Sequence, residues 1–347
     1  MTLIYFILVL GITVLIHELG HFVFAKKAGV HVYEFSIGMG PCLFKWHRKN
    51  DETLYAIRLL PIGGYVQMAG EDMETDDSKI PEDRQMCHKK WHQRFLIIIA
   101  GILFNFLLAI VLLFVVGLIN GVPNSKPIIG SIEKKYPAYE TNLKEGDLIT
   151  KINDKKINNT DRLILELQIR SGEEITLEVE HENGKTEKIN VEPLLVETDE
   201  GSGYKYGFSL ASEFDHSFIA AVKYGFTKTF SLLEQMVFII FYLIIGKLSL
   251  NSLAGPIGIF NIVGTAASAG FINIIYLIGY ISVNVGFINL LPIPAFDGGR
   301  LLFLIIEKIK GKPVNPKVEN TIHTIGFMLL MLLMVLISYN DIMRLFK

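Results

Sequence analysis

Three residues near the amino terminus have the types and spacing of a metal-dependent hydrolytic site. His17, Glu18 and His21 belong to the sequence HELGH. Side chains four residues apart share one face of a helix, so both imidazoles can reach a single Zn²⁺. The adjacent carboxylate can act as a general base on a water whose pKa the metal lowers toward about 7. The motif therefore predicts zinc as cofactor, two histidine ligands and Glu18 as catalytic base.

A catalytic zinc needs a third protein ligand and one position left open for water. The best candidate is Asp297 in the sequence NLLPIPAFDGG. Pro292 and Pro294 break the helix there and free backbone to shape a buried site. The other histidines are weaker candidates. His323, for example, borders the last apolar segment, where an interfacial residue is the better interpretation.

The elements that must position these residues are membrane helices. The chain has 347 residues, 50% of them hydrophobic, and its mean hydropathy is +0.39. Four apolar stretches are long enough to span a bilayer core about 30 Å thick; they cover residues 1–25, 95–119, 271–291 and 324–338. HELGH interrupts the first stretch. Ionisable side chains inside a span are costly, so they indicate a functional site rather than a wet interface.

Two stretches have alternative interpretations. Residues 236–246 are apolar but short, and with the charged aromatic segment before them they predict an amphipathic helix on the bilayer surface rather than a fifth span. The first stretch is not expected to be a cleaved signal peptide, because its first lysine, Lys26, follows the apolar run. The balanced charge excludes nucleic acid as a partner, and 2 cysteines exclude a disulfide framework.

Lysine and arginine in the short loops predict the orientation in the membrane. Residues 25–94 and 297–322 are rich in both and are expected to face the cytoplasm. The segment from 120 to about 217 is then extracytoplasmic. His21 and Asp297 come to the same depth, toward the cytoplasmic side, because Asp297 follows a span that enters from outside.

Residues 127–195 have the pattern of a small β-rich domain. Short strands are predicted at 128–132, 148–152, 174–180 and 186–191, with a helix at 160–169. The run AYETNLKEGDLITKIND resembles the PDZ signature, and the element order resembles the permuted PDZ domain of bacterial proteases. That resemblance implies that Ile129 and Gly130 line a groove that adds a peptide as an extra strand. A domain that only spaces the membrane helices is the alternative.

The predicted cytoplasmic loop contains a second feature of interest. Extended runs at 54–60 and 65–68 flank Pro61-Ile62-Gly63-Gly64, a sequence typical of a hairpin turn. A hairpin dipping toward the membrane could bind a substrate in extended form, since a helical peptide bond is shielded from attack. Gly63 and Gly64 are therefore candidate substrate-binding residues. A loop that merely packs on the helices is the alternative.

Taken together, the motifs resemble the site-2 protease family of intramembrane metalloproteases. The resemblance rests on HELGH in the first span, on the run SLAGPIGI, and on Asn289, Pro292, Pro294, Asp297 and Gly298. One PDZ-like domain between the second and third spans is similar to the bacterial regulator of sigma-E protease branch. Phe296 stands where leucine is usual, and Ile102 replaces a frequent proline.

This resemblance implies roles for particular residues. His17, His21 and Asp297 would be the zinc ligands and Glu18 the catalytic base. Asn289 and Asn284 would hold the unwound backbone of the substrate.

The expected fold class is a polytopic α-helical membrane protein with about four transmembrane helices and an inserted β-rich PDZ-like domain. The expected regions are 1–119 with the first two spans, 120–200 with the PDZ-like domain, 201–270 with the interfacial helix, and 271–347 with the last two spans. The resemblance implies a zinc metalloendopeptidase of the bacterial inner membrane. Its substrates would be single-span membrane proteins, such as anti-sigma factors or signal-peptide remnants, already trimmed by another protease.

Two other classes remain open. A non-catalytic PDZ-type membrane receptor would not need Glu18 between two intact histidines. A metal transporter would need polar residues along several spans, whereas residues 95–119 offer essentially one, Asn105.

Overall fold

The structure is a computed structural model that describes residues 1–71, 77–123, 126–198, 201–211, 214–248 and 254–345. The chain forms two compact units, one of residues 1–113 with 250–347 and one of residues 114–249. The helices are α1 (Thr2–Lys27), α2 (Trp91–Asn120), α3 (Thr160–Ile169), α4 (Phe218–Ile244), α5 (Pro256–Ser268), α6 (Phe271–Leu290), α7 (Asp297–Lys310) and α8 (Pro316–Leu345).

Among the described residues, five helices are long and apolar enough to cross a membrane. Helices α1, α2, α6 and α8 coincide with the four predicted spans and confirm that each is a long apolar helix. The fifth, α4, is one continuous helix of 27 residues that Ser217 caps by accepting a hydrogen bond from the Ala220 N–H. The sequence predicted an amphipathic helix here rather than a fifth span, because charged residues lie upstream of the short apolar stretch at 236–246. The surface location predicted for this segment stays a prediction.

The loop between α1 and α2 forms a sheet from two long strands, β1 (Val32–His47) and β2 (Leu54–Met68). A reversal of the chain was predicted at 61–64, and β2 does reverse its direction between Ile57 and Gly64. The runs on either side do not pair with each other as a simple hairpin, because Glu34–Ile37 lies between them. Each strand bends, so that Glu34–Ile37 pairs with Gly64–Gln67 on one side and with Leu54–Ile57 on the other. Gly63, at φ +89°, permits the irregular backbone that had the sequence signature of a turn.

Helices α1 and α2 approach each other closely beside this sheet. A Cβ on Gly20 would lie 2.7 Å from the carbonyl carbon of Ala100, so only a hydrogen fits between the two backbones. Small residues at such crossings allow membrane helices to pack closely against each other. The crossing brings the HELGH turn of α1 against the first half of α2.

The second unit contains the β-rich domain. Its remaining strands, in chain order, are β3 (Val122–Pro123), β4 (Ile129–Ile132), β5 (Leu148–Ile152), β6 (Lys155–Lys156), β7 (Ile175–Glu180), β8 (Thr186–Val191), β9 (Leu194–Thr198), β10 (Gly201–Lys205), β11 (Phe208–Leu210) and β12 (Phe214–Asp215). Strands β5 to β8 form one sheet in the order β6-β5-β7-β8. The four predicted strands and the predicted helix are confirmed to within one residue. Buried Ile, Leu and Val side chains from one face of the sheet, together with Leu163 of α3, make the core.

Strand β11 pairs antiparallel with β4. Tyr206, two residues before β11, attaches this part of the chain to the rest of the domain. The Tyr206 hydroxyl donates to the carbonyl oxygens of Arg170 and Glu173, at 3.0 and 2.8 Å. Main-chain groups of β4 therefore bond to β11 on one side and to residues 146–147 on the other. The β-rich fold continues to Leu210.

Helix α4 packs along α3 of the same domain. Glu166 of α3 is fully buried and forms ion pairs with Arg162 and Arg170. Its Oε1 atom accepts a hydrogen bond of 2.6 Å from the Tyr242 hydroxyl of α4. Arg162 also stacks over the Phe238 ring, 3.3 Å from its centroid. Buried charges are tolerated here because each one has a partner of opposite charge.

Candidate metal centre

Three donor atoms converge at the carboxyl half of α1 and the first residue of α7. His17 Nε2 lies 3.1 Å from His21 Nε2 and 3.1 Å from Asp297 Oδ2. The distance from His21 Nε2 to Asp297 Oδ2 is 3.3 Å. The two histidines are buried, with 7% and 8% of their surface exposed. In the described part of the chain, these residues make the one group of three or more His, Cys, Asp or Glu that could hold a metal ion.

The spacing of these donors fits zinc. Ligands about 2.0–2.1 Å from a tetrahedral zinc are about 3.3 Å from one another. The observed separations of 3.1, 3.1 and 3.3 Å match that requirement on all three sides. Two imidazoles and one carboxylate are also a ligand set that catalytic zinc sites use. The side chains therefore can hold the ion without rearrangement.

Hydrogen bonds on the far side of each imidazole orient the two rings. His21 Nδ1 is 2.9 Å from the Ile97 carbonyl oxygen, so this nitrogen carries the proton and donates it, leaving Nε2 free as a ligand. His17 Nδ1 is 3.2 Å from the side-chain amide of Asn105. His17 Nε2 can be a ligand as well when Nδ1 carries the proton and donates it to the side-chain amide oxygen of Asn105.

Asn105 and Gly101 are site residues that sequence reasoning missed. Asn105 is fully buried, and its main-chain oxygen accepts a hydrogen bond of 2.9 Å from the Ser282 hydroxyl of α6. A Cβ on Gly101 would lie 2.7 Å from His21 Cε1 and 2.9 Å from His17 Cε1. The sequence did contain an indication of Asn105, because a single strongly polar residue stands out in the apolar stretch 95–119. Gly101 had no such signal.

Glu18 faces the sheet of β1 and β2, which lies between α1 and α2 in the sequence. A Cβ on Gly64 would lie 3.6 Å from the Glu18 Cγ, so strand β2 passes directly beside the predicted base. Gly64 belongs to the outer segment of the sheet, and no other described strand pairs with the free edge of Gly64–Gln67. Gly63 lies against the Met39 side chain. Of the two predicted glycines, the structure thus brings Gly64 beside Glu18, whereas Gly63 contacts Met39.

One ion pair ties this sheet to the helix that carries Asp297. Arg300, one turn further along α7, pairs with Glu71, which follows the end of β2. Two turns further along α7, Arg94 of α2 makes a bidentate ion pair with Glu307 at 2.9 and 3.0 Å. Helix α7 is therefore held against both the sheet and α2.

The remaining predicted contact residues lie in two places. Asn284 and Asn289 belong to α6, the helix before the Asp297 loop, and Asn284 Oδ1 is buried without a hydrogen-bond partner among the described residues. Ile129 and Gly130 lie in the β-rich domain, where Ile129 is paired with Leu210 of β11. A Cβ on Gly130 would lie 2.8 Å from the Ala211 backbone. A peptide could add at this edge only if β11 left it.

A buried His-His-Asp set beside a glutamate, with both histidines on a helix long and apolar enough to cross a membrane, suits the zinc site of a metalloprotease. Comparison with known proteins agrees. The model of peptidase family M50 matches residues 5–333, and the chain belongs to that family. It is a polytopic α-helical membrane protein with an inserted PDZ-like domain, it uses zinc, and it hydrolyses peptide bonds.

Individual relatives extend over nearly the whole chain. The chain is 34% identical to the regulator of sigma-W protease RasP of Bacillus subtilis, covering 99% of each protein. It is 31% identical to the zinc metalloprotease RasP of Oceanobacillus iheyensis, again over 99% of each. A protein of Clostridium acetobutylicum, named as a zinc metalloprotease, is 37% identical over 97% of this chain and 96% of the relative.

Among solved structures, the PDZ domain of an SdrC-like protein from Listeria innocua aligns with 26% of this chain and 99% of that one. The identity is 20% and the TM-score is 0.22, so the alignment carries no argument about the domain.

Proposed function

We propose that His17, His21 and Asp297 hold the zinc of this protease and that Glu18 is its catalytic base. The observation that carries the proposal is the set of three donor atoms at 3.1, 3.1 and 3.3 Å, with Glu18 beside them on the next helical position. Zinc, when bound there, would lower the pKa of a water and polarise the scissile carbonyl.

In hydrolysis, Glu18 would transfer protons while His17, His21 and Asp297 keep their positions. Glu18 takes a proton from the attacking water as the water adds to the carbonyl carbon. When the carbon–nitrogen bond breaks, Glu18 returns a proton to the leaving amine. Asp297 and the two imidazoles would stay in place throughout. Each imidazole has a hydrogen-bond partner at its Nδ1, and the Arg300–Glu71 ion pair holds the helix that begins with Asp297.

The substrate would bind as an extended segment along the free edge of Gly64–Gln67. Strand addition supplies main-chain hydrogen bonds that are independent of substrate sequence, and it unwinds the helix whose peptide bonds are otherwise shielded. Asn284 Oδ1 on α6 has no hydrogen-bond partner among the described residues, so it would be a second acceptor for unwound backbone N–H groups. Asn289, on the same helix, would contribute in the same way.

The substrate class would be single-span membrane proteins already trimmed outside the membrane. One relative carries the name of a regulator of sigma-W protease, which supports anti-sigma factors as candidates. Signal-peptide remnants have the same character of a short, single apolar span. Trimming leaves such segments free to enter a site that lies among helices.

The test compares wild type, Glu18→Gln and Asp297→Ala on single-span substrates in liposomes. Wild type should bind about one zinc and cut. Glu18→Gln should bind the same zinc and cut at least 10²-fold more slowly, since general base catalysis contributes about 10²–10⁴. Asp297→Ala should lose zinc. Zinc retained by Asp297→Ala, or full activity in Glu18→Gln, would show that the residues have other roles.

We also propose that the metal centre faces the bacterial cytoplasm and the β-rich domain the outside. Cys87 is an exposed native thiol in the loop between α1 and α2. With Cys42 changed to serine, a membrane-impermeant maleimide should label Cys87 only after the cells are permeabilised. A matched variant with both native cysteines changed to serine and Lys135→Cys should be labelled in intact cells. The reverse pattern would invert the orientation.

A further inference from the structure

The connection between α6 and α7 has a strained backbone just before Asp297. Ala295 adopts φ +83°, in the left-handed region that residues with a Cβ rarely occupy. A residue persists in such a conformation only where its surroundings hold it there. Because Ala295 is two residues before Asp297, whatever holds this backbone also directs the Asp297 carboxylate.

Helix α8 makes the contact that holds Ala295. The Ala295 N–H donates a hydrogen bond of 3.0 Å to Nδ1 of His323. The His323 ring also packs against the Phe303 ring of α7, with centroids 5.6 Å apart. The imidazole therefore touches both the strained residue and the helix that begins with Asp297.

A second residue on the same face of α8 lets the helix come this close. Gly326 follows His323 by three positions, so the two share one face. A Cβ on Gly326 would lie 2.9 Å from the carbonyl carbon and oxygen of Pro294. Any side chain at this position would push α8 away from the loop and break the hydrogen bond to Ala295.

We propose that His323, with Gly326, is a positioning residue that fixes the loop carrying Asp297 and so sets the zinc affinity of the site. The inference rests on the proposed role of Asp297 as a ligand. His323 itself stays outside the group of convergent donors. Its Nδ1 accepts from a backbone N–H, so the ring is neutral there with its proton on Nε2.

Position 323 must provide a hydrogen-bond acceptor at the location of Nδ1. Substitutions there should therefore differ in zinc affinity according to whether they keep that acceptor. Asparagine places an amide oxygen where His323 carries Nδ1 and can still accept the hydrogen bond. Glutamine carries its oxygen one bond further out, in the manner of Nε2, and alanine has no acceptor. His323→Asn should therefore rescue what His323→Gln and His323→Ala lose.

The measurement is the dissociation constant of zinc, by competition with a chelator on the detergent-solubilised full chain. His323→Gln and His323→Ala should raise it about tenfold or more, as is usual when the partner of a ligand is removed. His323→Asn should stay within about threefold of wild type. Gly326→Ala should weaken zinc binding too, whereas Ile325→Ala, at a side chain 53% exposed, should not.

One further readout and one control variant, Asp297→Ala, distinguish the possible reasons for a negative result. The thermal midpoint of the zinc-free proteins tests folding, and it should be alike in the Asn and Gln variants at position 323. If His323→Asn binds zinc no better than His323→Gln, the ring acts only by packing and the proposal is overturned. The same holds if His323→Gln binds zinc like wild type while Asp297→Ala loses it. Zinc retained by Asp297→Ala would overturn the proposed ligand set and this inference with it.

Discussion

Changing Gly101 to alanine is the sharpest test of how the metal centre is built. The added Cβ would lie 2.7 Å from His21 Cε1 and 2.9 Å from His17 Cε1. Unstrained contacts between heavy atoms need about 3.5–4.0 Å, so one or both rings must move by roughly 1 Å. Zinc ligands tolerate only about 0.2 Å of displacement, so the two histidines could no longer share the ion with Asp297.

The expected result is a loss of zinc without a loss of fold. Zinc affinity should fall at least about tenfold, and cleavage about 10²-fold, which is a typical cost of a 1 Å misplacement at a reacting centre. Alanine favours a helix over glycine by about 0.5–1 kcal/mol, so α2 itself should not weaken. The assay is metal content after dialysis against a weak chelator, with cleavage of a single-span reporter in parallel.

Gly279→Ala is the matched control. Gly279 is also a glycine of a membrane helix, but its Cβ would meet Leu113 carbon atoms at 3.4 Å, a contact that neighbouring side chains can accommodate. It should keep zinc and activity. Stoichiometric zinc and wild-type cleavage in Gly101→Ala would refute the described packing of α2 against the two histidines.

Three further predictions concern other contacts. Asn105→Ala should raise the zinc dissociation constant about tenfold, because His17 loses the partner that orients it, as chelator competition would show. Glu166→Ala should lower the free energy of unfolding of the β-rich unit by about 3–5 kcal/mol in denaturant titrations, since it strands two buried arginines. His181 Nδ1 bonds to Asp147 Oδ1 at 2.6 Å, which raises the pKa of His181. The pair should therefore stabilise the domain below pH about 6.5, and this contribution should be lost as pH rises through the raised pKa. His181→Gln should abolish that dependence in proteolysis assays across pH.

Much of the metal centre was predictable because its chemistry is local in sequence or bounded by the spans. HELGH defines two donors on one helical face, and the positions of the spans bring Asp297 to the same depth. The structure places the three side chains together, as expected. Alternating hydrophobicity likewise located the strands of the β-rich domain, because its core is built from one face of each strand.

The missed features depend on contacts between distant elements. Gly101 matters only because α1 crosses α2 beside it, and no pattern within α2 announces that crossing. Pro61 and Gly63 correctly indicated a reversal of the chain, but nothing in the sequence indicated that Glu34–Ile37 lies between the two runs that they connect. His323 was interpreted as an interfacial residue, because its partner, the Ala295 N–H, lies on a loop whose path cannot be read from the sequence.

The pairing of β11 with β4 bears on where a soluble fragment of this protein could end. A fragment of residues 126–198 would lack β11 and Tyr206, and one edge of β4 would be left as a row of free main-chain groups. Such edges recruit strands from other molecules, so this fragment should dimerise or precipitate at high concentration. A fragment extended to residue 211 would carry its own covering strand and should elute as a monomer. A soluble fragment therefore has to extend beyond β8, because the hydrogen bonds that cover the edge of β4 come from β11.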